Sequence, residues 1–86
     1  MMTIKELEDI LRANNICKYD YSLSEDNPPL IETVVCLRKL DDKYKYFVSD
    51  HGEIIEENYF DSENNACQYL LKEMAYGYEE LKKYIK

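Results

Sequence analysis

Cys67, Leu71, Met74, Tyr78, Leu81 and Ile85 recur at spacings of 4, 3, 4, 3 and 4, a single apolar seam along the C-terminal part of the chain. A period of 3.6 residues puts such positions on one face of a helix. Ala66 and Leu70 widen the seam, and Asp61 and Ser62 ahead of it offer N-caps. Glu63 places negative charge where the helix dipole favours it. Gly77 interrupts the run and costs about 1 kcal/mol relative to alanine in a helix interior. Because the seam continues past Gly77 to Ile85, one long C-terminal helix is expected, ending among Lys82, Lys83 and Lys86.

The other end of the chain reads the same way. Thr3 and Glu6 fit a capping box, and Ile4, Leu7, Ile10 and Leu11 follow at helical spacing. Asn14 and Asn15 supply a stop, since asparagine tolerates the left-handed backbone that ends many helices. The first helix is therefore expected over 4–14. Between the helices the period changes to two. Residues 16–23 alternate as a strand, and Pro28 and Pro29 mark a loop over 24–29. Ile31–Leu40 is rich in β-branched residues, and Lys43–Ser49 alternates Tyr44, Tyr46 and Val48 against Lys43, Lys45 and Phe47. Glu53–Tyr59 makes a further strand, with its charges expected on one side and Ile55 and Tyr59 on the other. Asp41-Asp42 and Asp50-His51-Gly52 are the turns between these strands, Gly52 being free to take positive φ. The expected fold is α+β, in the order α-β-β-β-β-α. An antiparallel meander of three to four strands is flanked by an N-terminal and a long C-terminal helix, which cover one face.

With 86 residues the chain reads as one domain, 1–86, since folding units run from about 40 residues to about 100–150. Large barrels and doubly wound sheets are excluded. Leu, Ile, Val and Phe supply 21 of the 86 residues, above the roughly 20% below which chains tend to stay disordered. The longest apolar run is four residues, Val34–Leu37, and the N-terminus carries Lys5, Glu6, Glu8 and Asp9 where a signal peptide needs an apolar stretch. A soluble cytoplasmic protein is expected.

Catalytic chemistry finds little to work with. The one histidine, His51, lies in a turn, and Cys17, Cys36 and Cys67 lack the Cys-x-x-Cys spacing of a zinc site or a disulfide framework. Cys67 is near a helix start, yet Asp61 and Glu63 there oppose a thiolate. Asp61, Glu63 and Asn65 mimic the opening of a calcium loop, which then fails at Ala66 and Lys72. With only Gly52 and Gly77 there is no phosphate-cradling loop. No enzyme activity, cofactor or metal site is expected.

Charge is the stronger signal. Net charge is −7, which repels nucleic acid and anionic membranes and suits a basic protein partner. From Asp50 through Glu63 there are six acids and no Lys or Arg. This acidic ribbon holds Tyr59, with Tyr44 and Tyr46 on a neighbouring strand. Rings among charges match the make-up of an interface centre. The same residues also read as a solvated sheet edge, its tyrosines closing the core. The candidate partner-binding residues are Glu53, Glu56, Glu57 and Tyr59, then Tyr44, Tyr46 and Asp50.

The stretch Phe60-Asp61-Ser62-Glu63-Asn64-Asn65-Ala66-Cys67-Gln68-Tyr69-Leu70-Leu71 resembles the Phe-x-Ser-Glu-x-x-Ala-Cys-x-x-Leu-Leu signature of a family of small bacterial immunity proteins encoded beside polymorphic toxins. Upstream, Tyr21-Ser22-Leu23 and Glu32 with Val35-Cys36-Leu37 are similar to that family's pattern. The resemblance spans residues 21–71. The family's turn carries Glu-Arg-Gly where this chain has Asp50-His51-Gly52, so a permanent charge is missing. The resemblance implies a stoichiometric inhibitor that binds a cognate toxin domain. A nuclease toxin, basic around its phosphate site, would suit an acidic inhibitor. The alternatives are an acidic adaptor or nucleic-acid mimic that blocks a DNA-binding protein, and a structural homo-oligomer joined through the 67–85 seam. A monomer is expected from the first reading and a dimer from the last.

Overall fold

A computed structural model describes residues 1–24 and 32–85. The proline-bearing loop lies outside them from residue 25 onward, as do Ile31 and Lys86. Helix α1 spans Ile4–Ala13. Its N-cap is Thr3, whose hydroxyl oxygen accepts the Glu6 N–H at 3.2 Å while the hydroxyl donates to the Glu6 carboxylate at 3.3 Å. The helix ends where Asn15 takes a φ of 57°. The Asn15 N–H then bonds the Arg12 carbonyl at 3.1 Å, and the Ile16 N–H reaches back to the Leu11 carbonyl at 3.0 Å. This pair of bonds is the Schellman stop, and Ile16 and Leu11 both join the core.

Those bonds also explain why the strand expected over 16–23 is short. The Ile16 N–H closes the helix and the Asp20 N–H bonds the Cys17 carbonyl at 3.0 Å, so the backbone here is satisfied locally. Only β1, Tyr21–Ser22, pairs with β2, Val34–Lys39. That pairing is parallel, Tyr21 beside Val35 and Ser22 beside Cys36, which corrects the expected all-antiparallel meander. Residues 23–33 come close to the roughly dozen that a parallel return needs.

The rest of the sheet is antiparallel. Strand β3, Tyr44–Asp50, pairs with β2, and β4, Glu53–Phe60, pairs with β3, giving the order β1-β2-β3-β4. The β3–β4 connection has only two central residues, His51 and Gly52, with φ of 53° and 86°. Two consecutive positive φ values make the type I′ turn that matches strand twist. A register shift at Val48/Ser49 leaves Ile55 without a partner on β3, a β-bulge.

Helix α2, Glu63–Met74, lies against β2, β3 and β4 and touches α1. Ser62 caps it by accepting the Asn65 N–H at 3.0 Å. Glu63 does a second job: its carboxylate accepts the Ile4 N–H at 2.8 Å, which places negative charge on the start of α1. The main core sits between helices and sheet, with Leu7 and Leu11 of α1, Cys67, Leu70 and Leu71 of α2, and Leu37 and Tyr46 of the sheet. A smaller cluster of Val34, Cys36 and Phe47 is buried on the opposite face.

The long C-terminal helix is not formed. After Ala75 the N–H groups of Gly77 and Tyr78 both bond the Met74 carbonyl at 3.0 Å, and Tyr78 turns to extended backbone. A separate 3-10 helix follows over Glu79–Tyr84. The seam residues still meet the core, Leu81 fully buried and Tyr78 and Ile85 packed against it. What breaks is the helix, not the burial. The Tyr78 hydroxyl donates to the Asp20 carboxylate ahead of β1, a contact far away in sequence that spacing does not encode. That bond, then burial, pushes the phenol up to about 12.

Candidate functional site

The acidic ribbon is built on β4, an edge strand among the described residues. Pairing assigns its residues to two faces. Glu56, Asn58 and Phe60 lie opposite Val48, Tyr46 and Tyr44 on the helix-covered face. Glu57 and Tyr59 lie opposite Phe47 and Lys45 on the other face. Charges and apolar residues are therefore not segregated as the alternation suggested, since Glu57 and Tyr59 share a side.

Each carboxylate has its own environment. Glu56 accepts from the Tyr69 hydroxyl at 3.2 Å and from the Asn58 amide at 3.1 Å. Glu57 Oε1 is 3.0 Å from Lys45 Nζ and accepts the Tyr59 hydroxyl at 3.2 Å. The bond from Lys45, and its charge, hold the Glu57 carboxyl below its ordinary range. Asp50 accepts the Thr33 hydroxyl at 2.8 Å and lies 2.8 Å from His51 Nδ1. The Thr33 bond is the larger cause of its lowered pKa. Glu53, beside the turn, is exposed and has no ion-pair partner among the described residues.

The tyrosines separate too. Tyr59 is 54% exposed, whereas Tyr46 is only 1% exposed and lies edge-on to Tyr69 at 4.8 Å. Tyr46 is a core residue, because the face it shares with Leu37 is the one α2 covers. A side chain so enclosed cannot touch a partner, and this corrects its place among the candidates. Tyr44 is half-buried against the same core.

Two features of the flank escaped the sequence reading. Ile54 and Ile55 are 50% and 61% exposed, side by side at the bulge. Two adjacent isoleucines in a strand of period two were the available signal, because one of them must leave the buried face. Next to Tyr59 and Glu57, Lys45 and Arg38 lie over the Phe47 ring at 5.1 and 5.6 Å, so the acidic surface has a cationic centre. Arg38 also donates to the Ser22 carbonyl and hydroxyl at 2.9 Å each, tying β1 to this face.

The remaining chemistry is sparse. Among the described residues no group of three or more His, Cys, Asp or Glu is placed to hold a metal ion. A groove of about 280 Å³ lined by Phe60, Asn65, Gln68, Tyr69, Lys72 and Ile85 lies just below the roughly 300–1,000 Å³ of ligand pockets. Burial pushes the Cys36 thiol up to about 11, and burial with Glu63 and Glu6 pushes Cys67 up to about 12. Cys17 is exposed. In the native protein Ellman's reagent is expected to react promptly with one thiol, Cys17, and with all three after denaturation. Three fast thiols in the native state would contradict this packing.

The residues on which the family resemblance rests are largely committed to the fold. Ser62 caps α2, Glu63 bonds α1, and Ala66, Cys67, Leu70 and Leu71 are buried. No helix among the described residues is long and apolar enough to cross a membrane. A scan against protein-family models finds no match to this chain, and searches of curated proteins and of solved structures likewise find none.

Proposed function

We propose that this chain is a stoichiometric binding protein of the immunity type, which neutralises a cognate toxin domain by holding it against the β4 flank. The observation that carries the reading is the make-up of that flank. Ile54, Ile55 and Tyr59 are exposed within a run that also holds Glu53, Glu56 and Glu57, on a protein of net charge −7. Exposed aliphatic and aromatic anchors framed by charge are what interface centres are made of. The charge favours a basic partner and speeds its encounter. The contact set is Glu53, Ile54, Ile55, Glu57 and Tyr59, with Asp50 at the turn. Glu56 and Tyr44, on the helix-covered side, are peripheral. The similarity of residues 60–71 to the immunity signature supports the same reading.

The homo-oligomer alternative loses its motive, because Cys67, Leu71 and Leu81 of the seam are fully buried within their own chain. The test is co-expression of this chain with the toxin domain encoded beside it, scored by bacterial growth. Growth is expected to be restored by the chain and not by an unrelated acidic protein of similar size. Failure to protect against that toxin would refute the assignment.

A further inference from the structure

One long side of β4 faces β3, and among the described residues no strand lies along the other. Alternate residues of such an edge turn their N–H and C=O groups outward, ready for another strand. The register with β3 is regular from Glu56 to Phe60 and breaks at Ile55. A strand added along β4 therefore has five regular residues to follow before it meets the exposed pair Ile54 and Ile55.

Charge decides between occupants. A second copy of β4 would bring three more carboxylates, Glu53, Glu56 and Glu57, to an edge that already carries the same three, and like charges gathered along a ladder are destabilising. A strand carrying lysine or arginine meets the opposite sign. Glu53 has no ion-pair partner, and Glu57 commits Oε1 to Lys45 and Tyr59 while Oε2 has none among the described residues. We propose that β4 is the docking edge for an extended basic segment of the partner protein, which joins the sheet as a fifth strand beyond Glu56–Phe60. Its cationic side chains lie on the face shared by Glu57 and Tyr59, where they pair with the Glu57 carboxylate, and its apolar ones lie on the other face beside Phe60. Main-chain bonds supply the affinity and the alternation of side chains supplies the specificity. This deepens, and rests on, the reading of the chain as a neutralising binder.

The experiment uses the isotope-labelled full chain and short blocked peptides alternating lysine and valine. Amide exchange is followed by NMR up to millimolar peptide. Protection is expected to rise in 56–60. N-methylation of alternate peptide amides is expected to weaken binding by about tenfold or more in one register and little in the other, as loss of edge hydrogen bonds requires. A peptide with glutamate in place of lysine is expected not to bind. The proposal is overturned if none of these peptides protects β4, if both methylated registers bind equally, or if the chain alone dimerises through β4. Growth rescue that succeeds while the peptides leave β4 unprotected would remove strand addition and keep neutralisation. Peptide binding without rescue would do the reverse.

Discussion

Tyr46→Ala is expected to remove about 3–5 kcal/mol of folding stability, the usual cost of deleting a buried ring. The ring is 1% exposed, packs edge-on against Tyr69, and lies under α2 in the main core. Only partial collapse of neighbouring side chains can fill the space it leaves. A domain of 86 residues has roughly 4–13 kcal/mol in total at ~0.05–0.15 per residue. The variant therefore sits near the edge of folding, and its Tm should fall by more than about 12 °C. Tyr59→Ala, on the same sheet but 54% exposed, should stay within about 0.5 kcal/mol of wild type. Paired thermal melts measure the difference directly. Equal, small shifts in the two variants would mean that Tyr46 is not where the core is.

The same two-residue contrast should invert in binding. Tyr59→Ala is expected to weaken the proposed complex with a toxin domain by at least about 30-fold, the scale of an aromatic hot spot, with the melt unchanged. Glu53→Lys should act on a different step. Glu53 is exposed and unpaired among the described residues, so reversing it alters the long-range field and breaks no internal bond. Association should slow at low ionic strength, and the deficit should shrink as salt screens the field. Glu57→Lys is a poorer probe because it also destroys the 3.0 Å pair with Lys45. Surface-resonance kinetics across a salt series separate these effects. Wild-type kinetics in both Tyr59→Ala and Glu53→Lys would move the interface away from β4.

Local signals in the sequence located the ends of most elements. Thr3 with Glu6 and Ser62 with Glu63 mark helix starts because a cap needs a particular side chain at a particular place. Asn15 and Gly52 mark reversals because few residues tolerate positive φ. What stayed hidden depends on distant partners. The parallel seating of β1 is set by β2, residues away. Past the end of α2, Tyr78 bonds the distant Asp20, and an apolar period of 3.6 describes burial whether or not the backbone stays helical.

The candidate site was half legible for the same reason. Acid and tyrosine content showed that the stretch around β4 is unusual. Alternation put Tyr44 and Tyr46 together, but only packing shows that α2 covers their face. Tyr59 falls on the opposite side through its register with Lys45, and the bulge at Ile55 resets the alternation ahead of Glu56.

A titration of purified toxin activity against increasing amounts of this chain addresses the central claim most directly. The account predicts a straight decline to complete inhibition at one chain per toxin domain, with no further change on longer incubation. Inhibition by a small fraction of an equivalent, growing with time, would show turnover and contradict a binder. So would undiminished toxin activity at a large excess of the chain.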